Sequence, residues 1–288
     1  MTSRCRELRN LITDGKTHVL PGAYDALTAK LACVAGFEAV YMSGYGASAG
    51  LLGLPDIGLA TMTEVVTTCA NICAAVDRPV VADADTGYGG PTNVRRTVQE
   101  FERAGAAAVQ LEDQEFPKRC GHMAGKRLIE TRDMVAKIEV ALEARSDPDF
   151  VIIARTDAIA LDGVEAAIER AAAYGEAGAD MVFVDAPETM DEITRIANEL
   201  DFPLVFDWSY GGVTPSVSRA VLEQLGYNLV VFPDVVSAVH RSVEQVYSRL
   251  RNTDSLDDLA SDLLTPFDTL NEFLGLNRWV ALDRTRSA

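Results

Sequence analysis

The stretch Asp147-Pro148-Asp149-Phe150-Val151-Ile152-Ile153-Ala154-Arg155-Thr156-Asp157 opens on turn residues, runs through an unbroken apolar core and closes on three polar side chains. An apolar run without alternation marks a strand covered on both faces, as in a parallel sheet. Downstream, residues 164–177 carry apolar side chains at three- and four-residue spacing, which predicts a helix. The pair Ala177-Gly178 stops it, and a second apolar run ends at Phe183-Val184-Asp185. Strand, helical crossover and parallel strand follow one another.

Working outward, the same unit recurs. Residues 35–43, 104–112 and 225–233 each repeat a helix end, a glycine stop and a short apolar run. Residues 77–85 (DRPVVADAD) and 201–208 (DFPLVFDW) repeat the turn-led strand, and His18-Val19-Leu20 supplies one more at the front. That makes eight strands, with further helices expected over 92–104 and 131–144. The repetition predicts an α/β fold, a (β/α)₈ TIM-type barrel, over a doubly wound open sheet. Polar residues at the end of nearly every strand favour the barrel, because one mouth then collects the site from all of them.

From Ser237 onward the chain reads as additional C-terminal helices, 243–250 and 256–273, ending in a polar tail over 282–288. We therefore read 1–288 as a single barrel domain with 237–288 a helical extension, either a surface addition or an arm packing on a neighbouring subunit. The 288 residues carry 26 Lys plus Arg against 43 Asp plus Glu, a net charge of −17. Such a balance repels nucleic acid and anionic lipid, so neither is expected as a partner. Five cysteines in no metal-binding spacing, no secretory signal and no run of 18 apolar residues point to a reduced, cytoplasmic setting.

Ser43, Asp83, Asp85, Glu112, Asp113, Arg155, Asp157, Asp185 and Asp207 fall at strand C-terminal ends. Like charges about 4 Å apart cost about 4 kcal/mol at an effective dielectric near 20, so seven converging carboxylates call for a cation. Hard oxygen donors select magnesium, with manganese possible, over zinc. Helix capping or pairing with Arg is the competing role, above all for Asp113 and Asp157. The connection from Asp113 to Ile129 is longer than a structural loop requires. It gathers Cys120, His122, Lys118, Arg119, Lys126 and Arg127, with Gly121 and Gly125 as flexible points. Basic neighbours are expected to lower the thiol's pKa and fit it to give or take a proton near neutrality.

These motifs carry a resemblance. Lys118-Arg119-Cys120-Gly121-His122 in a long loop, Asp83-Ala84-Asp85-Thr86-Gly87-Tyr88-Gly89, Ser43-Gly44, Leu54-Pro55-Asp56, Glu112-Asp113-Gln114 and Ile153-Ala154-Arg155-Thr156-Asp157 resemble the isocitrate lyase/phosphoenolpyruvate mutase superfamily over roughly residues 8 to 250. The 2-methylisocitrate lyase group, which also holds dimethylmalate lyase, oxaloacetate hydrolase and carboxyphosphonoenolpyruvate mutase, is the most similar part of it. The resemblance implies a magnesium-dependent homotetramer. It places Asp83, Asp85 and Glu112 at the metal, Ser43, Gly44, Gly121 and Arg155 on the substrate, and Asp56 in the surrounding shell. Cys120 is then the general acid, Lys118 and His122 its electrostatic partners on a closing loop, and Tyr41 a candidate base.

The chemistry so implied is cleavage of a substituted 2-hydroxy acid to an α-keto acid, such as pyruvate, plus a carboxylic acid. Phosphonate P–C chemistry or an oxaloacetate-type hydrolysis is the alternative, and a non-catalytic metabolite-binding barrel a third. Asp185 and Asp207 stand where such lyases usually have Glu and Asn. An ionised Asp207 cannot donate the hydrogen bond an Asn would give to a substrate carboxylate, so an altered substrate is expected.

Overall fold

The structure is a computed structural model; it describes residues 3–253, 255 and 263–286. Helix α1 (Arg4–Thr13) leads into β1 (His18–Ala23), α2 (Ala26–Val34), β2 (Val40–Met42), α3 (Gly44–Leu52), α4 (Met62–Ala75), β3 (Val80–Asp83), α5 (Pro91–Ala104) and β4 (Ala108–Glu112). The alternation continues through α6 (Thr131–Ala144), β5 (Val151–Thr156), α7 (Ile159–Glu176), β6 (Met181–Val184), α8 (Met190–Glu199), β7 (Leu204–Asp207), α9 (Arg219–Leu225) and β8 (Leu229–Phe232). All eight expected strands form. They close in sequence order into a parallel barrel, sealed by β1 on β8 with His18 opposite Leu229.

Local sequence explains the elements. Every residue of β2 to β7 is buried, as unbroken apolar runs between two layers should be. The four repeated stop glycines, Gly36, Gly105, Gly178 and Gly226, all take left-handed φ values between 91° and 99°, which a side chain would resist. Thr61 and Glu64 cap each other's backbone at the start of α4, and Thr189 and Glu192 do so for α8. The helix expected from 164 begins at Ile159, with Gly163 (φ 82°) interrupting it just before the expected body.

The chain divides into two compact units, Met1–Val236 and Ser237–Ala288. The second holds most of α10 (Val235–Thr253), α11 (Phe267–Phe273) and α12 (Leu276–Arg286). Two expectations change here. Within the helix expected over 256–273, residues 263–266 are not helical and α11 begins at Phe267, because Pro266 lacks an N–H and disfavours helix just before it; residues 256–262 lie outside the described part. The expected polar tail is helical from 282 to 286 as the end of α12, while 287 and 288 are not described. No helix among the described residues is long and apolar enough to cross a membrane.

Candidate active site

Because Asp83, Glu112 and Asp207 end their strands, and Ser43 and Asp185 follow theirs by one residue, the barrel brings them to one mouth. Tyr41, Ser43, Asp56, Asp83, Glu112, Lys118, Cys120, Gly121, His122, Arg155 and Asp207 line a single cavity of about 220 Å³. Gly44, Asp85 and Asp185 are each bonded to one of these. The Gly44 N–H donates to Asp83 Oδ2 at 3.3 Å, Lys118 Nζ lies 2.6 Å from Asp85 Oδ1, and Arg155 Nη2 donates to Asp185 Oδ2 at 2.6 Å.

On the β2 side, Ser43 caps α3 by accepting from the Gly46 N–H at 3.1 Å, which leaves its own O–H to donate. A Cβ on Gly44 would stand 2.7 Å from Asp83 Oδ2, so only glycine fits against that carboxylate. Asp85 adopts φ 49°, a left-handed conformation that Asp tolerates, with its N–H donating to Asp83 Oδ1 at 3.1 Å. Tyr41 donates to Gln110 Oε1 at 3.4 Å. Burial, reinforced by Asp83, pushes its phenol well above the usual tyrosine range, which opposes the expected role as a base.

The long loop is pinched at its base, where the Glu115 N–H donates to the Arg127 carbonyl at 2.7 Å and Gln114 bridges to Leu128. The Gln114 amide exchanges two hydrogen bonds with the Arg119 backbone, and the Cys120 N–H donates to the Asp56 carbonyl at 3.1 Å. Lys118 reaches inward, 2.7 Å from Asp56 Oδ2 and 2.6 Å from Asp85 Oδ1. Burial opposes its charge, yet Asp85, Glu112, Asp56 and Asp83 together hold the ammonium well above the ordinary lysine value. Lys126 donates to the Gly121 carbonyl and lies 3.6 Å from Asp157 Oδ1.

Cys120 departs from expectation. Burial pushes the thiol up to about 11, and the nearby Arg155 offsets only part of this. Of the four cations counted in the loop, Arg119 turns to the Ala124 carbonyl and Arg127 to Glu115, while Lys118 and Lys126 are engaged by carboxylates. The thiol therefore keeps its proton at neutral pH, which suits a donor and not an acceptor. Gly121 has a further reason to be glycine: a Cβ there would collide with Asp185 Oδ2 and Arg155 Nη2, so the backbone can approach them only without a side chain.

Arg155, at the end of β5 and paired in register with Glu112, is gripped by Asp157 through Nε at 3.2 Å and Nη2 at 2.9 Å. It sits 5.2 Å over the Phe183 ring. Burial raises Asp185 to about 6 even though Arg155 pulls it down. His122 Nε2 lies 3.3 Å from Asp207 Oδ2. Burial lowers the imidazole's pKa, but the Asp207 hydrogen bond and the charges of Asp185 and Asp207 outweigh it, and the net shift is upward.

Asp113 and Asp157 take the structural alternative. Fully buried, Asp113 accepts from Thr156 Oγ1 at 2.7 Å, Tyr174 OH at 2.8 Å and the Asp157 N–H at 3.0 Å, with Arg170 at 3.3 Å. Asp113→Ala strands the Thr156, Tyr174 and Asp157 donors and removes the Arg170 ion pair, and is expected to cost about 3–5 kcal/mol of unfolding free energy, the scale of breaking a buried ion pair. Urea unfolding measures this, and a loss under about 1 kcal/mol would contradict the assignment.

For a divalent cation, the residues expected to hold it are hard oxygen donors. Glu112 Oε1 is buried without a hydrogen-bond partner, and burial raises both Glu112 and Asp83 above the usual carboxylate range, as sites short of positive charge do. The donor set fits a hard cation. Among the described residues, however, the trio with ligand atoms all within 4.8 Å is His122, Asp185 and Asp207, not Asp83, Asp85 and Glu112. Lys118 occupies Asp85 in that more open set.

The cavity is also lined by Phe183, Ser209, Tyr210, Gly212 and Asp234, which the sequence reading left without a role. Asp234, whose carboxylate accepts from the Tyr210 N–H at 2.5 Å, follows an apolar run just as the other strand-end acids do, and that signal could have found it. Phe183 lies inside its run and gives none.

Comparison with known proteins bears on this geometry. The phosphoenolpyruvate phosphomutase family model matches residues 8–251. The 2,3-dimethylmalate lyase of Eubacterium barkeri is 44% identical over 273 residues, 94% of each chain. The 2-methylisocitrate lyase of Aeropyrum pernix is 42% identical over 259 residues, 90% of this chain and 83% of its own. A solved phosphonopyruvate hydrolase, in complex with oxalate and Mg++, has a TM-score of 0.89 at 30% identity and covers 98% of this chain and 99% of that one. With a closed barrel, a carboxylate-lined mouth and relatives matching along nearly its whole length, the chain belongs to the phosphoenolpyruvate mutase/isocitrate lyase superfamily.

Proposed function

We propose that this protein is a magnesium-dependent carbon–carbon lyase that cleaves a substituted 2-hydroxy acid of the alkylmalate or 2-methylisocitrate type to pyruvate or a similar α-keto acid plus a carboxylic acid. The observation that carries the reading is Cys120, a half-buried thiol held protonated at the wall of a cavity it shares with Arg155. Likeness to the dimethylmalate and methylisocitrate lyases supports the substrate class.

Asp83, Asp85 and Glu112 would hold the ion, which when bound supplies Lewis-acid stabilisation of negative charge on substrate oxygens. Ser43 offers its hydroxyl to the α-keto acid carboxylate, with Gly44 allowing close approach. Tyr41, held as a phenol with its hydrogen directed to Gln110 Oε1, forms part of the cavity wall. Transfer of the C2 hydroxyl proton to a carboxylate of the mouth converts that oxygen to a carbonyl as the C2–C3 bond breaks, leaving the bond's electron pair on C3 beside a carboxylate. Arg155 stabilises the charge. Cys120 gives its proton to C3, and the loop residues Lys118 and Gln114 keep water from doing so by holding the cavity closed.

The test is incubation with Mg2+ and malate, 2,3-dimethylmalate, isocitrate, 2-methylisocitrate, oxaloacetate or phosphonopyruvate, read by coupled keto-acid release, carbon NMR and phosphorus NMR. Keto acid from a 2-hydroxy acid is expected. Turnover confined to phosphonopyruvate or oxaloacetate would transfer the assignment to the phosphonate or hydrolase chemistry found elsewhere in the superfamily. The reading extends to a cytoplasmic homotetramer, supported by the apolar exposure of α11 and α12, where Phe267 and Trp279 are 79% and 66% exposed.

A further inference from the structure

At the β6–β7 edge of the cavity, His122 and Asp207 on its wall and Asp185, bonded to Arg155 behind it, each offer a polar atom within 4.8 Å of the others. One nitrogen and two carboxylates could in principle take a cation, but the backbone decides otherwise. The Val213 N–H donates to His122 Nδ1 at 3.3 Å. A ring nitrogen that accepts carries no proton, so Nε2 holds it and donates to Asp207 Oδ2. A proton added at Nδ1 would confront the Val213 N–H, which opposes the upward pull of the two carboxylates. Nε2 is therefore a donor with no lone pair for a metal.

What remains is a pair of unmet acceptors. Asp207 Oδ1 and Asp185 Oδ1 are buried and have no hydrogen-bond partner, in residues that are 7% and 1% exposed. An unmet buried acceptor is costly, and a ligand that supplies a donor removes the cost. The local charges point the same way. Asp157, Asp185 and Asp207 face the cations Arg155 and Lys126, and Arg155 is already held by both oxygens of Asp157 and by Asp185 Oδ2. A second ionised carboxylate on C3 of a substrate would bring a further negative charge and more acceptors to this edge. A hydroxyl would bring the donor it lacks.

The geometry points to a specificity subsite for a hydrogen-bond donor: the preferred acid is a 2-hydroxy dicarboxylic acid whose C3 substituent ends in a hydroxyl, and not a tricarboxylate. This rests on the lyase reading above and names the substrate class within it.

Two acids isolate the claim, 2-methylisocitrate and 2-methyl-3-(2-hydroxyethyl)malate, which differ only in a carboxylate against a CH2OH at the end of the C3 substituent. Wild type is expected to favour the hydroxyethyl acid in kcat/KM by about tenfold or more, and Asp207→Asn, which replaces an acceptor by a donor amide, to lower that ratio by at least about tenfold. A wild-type ratio at or below one, or a ratio that Asp207→Asn leaves unchanged, overturns the subsite. If neither acid releases pyruvate, the lyase reading is decided by the other 2-hydroxy acids named above, and calorimetric binding of the same two acids with Mg2+ decides the subsite alone. Tighter binding of the hydroxyethyl acid then supports it, and equal or weaker binding overturns it.

Discussion

Serine in place of Cys120 is expected to lower kcat by about two or more orders of magnitude while KM stays within a few-fold, the pattern of losing a general acid. Burial holds the thiol at about 11, so it carries its proton throughout the neutral range and yet gives it to a carbanion far more readily than a hydroxyl does. The substitution is nearly isosteric, and the Cys120 backbone contacts to Asp56 and Met123 survive it, so the loop should still close. Because the thiol titrates only near the top of the pH scale, no limb due to Cys120 is expected in kcat between pH 6 and 9. Steady-state kinetics across that range measures both effects. An unchanged kcat would return Cys120 to a structural role.

Removal of divalent metal is expected to have an effect at least as large, with activity in excess EDTA falling below about 1% and returning with magnesium or manganese, zinc being inferior. Asp83, Asp85 and Glu112 concentrate negative charge where burial already disfavours it, since desolvation raises both Asp83 and Glu112. Lys118 answers part of that charge through Asp85, at 2.6 Å. The unpartnered Glu112 Oε1 marks what Lys118 leaves unanswered. Full activity under chelation would contradict the assignment of these three carboxylates.

How much of this was legible in the sequence depends on whether a feature is local. The strands were, because each is a contiguous apolar run, and their stops were, because Gly36, Gly105, Gly178 and Gly226 need left-handed φ whatever surrounds them. So was the gathering of Asp83, Glu112 and Asp207, which follows from strand ends sharing one mouth. The thiol's environment was not. Sequence counts four cations near Cys120 but cannot see Arg119 turn to Ala124 or Lys118 spend its charge on Asp56 and Asp85, which leaves burial to set the pKa. Gln110 was hidden for the same reason: it lies inside an apolar run, and its bond to Tyr41 joins strands two apart. Pro266 was a local signal against helix immediately before it, and residues 263–266 are indeed not helical.

The most direct test of the central claim is turnover of 2,3-dimethylmalate or 2-methylisocitrate in D2O with magnesium, followed by NMR of both products. If C2–C3 cleavage is completed by a proton from Cys120, pyruvate and the carboxylic acid form in equal amounts, and the acid carries one deuterium at its α carbon in a single configuration, drawn from the exchanged thiol. Pyruvate formation with deuterium in both configurations would move the protonation step to solvent, and the absence of any keto acid from these or the other 2-hydroxy acids would contradict the lyase assignment itself.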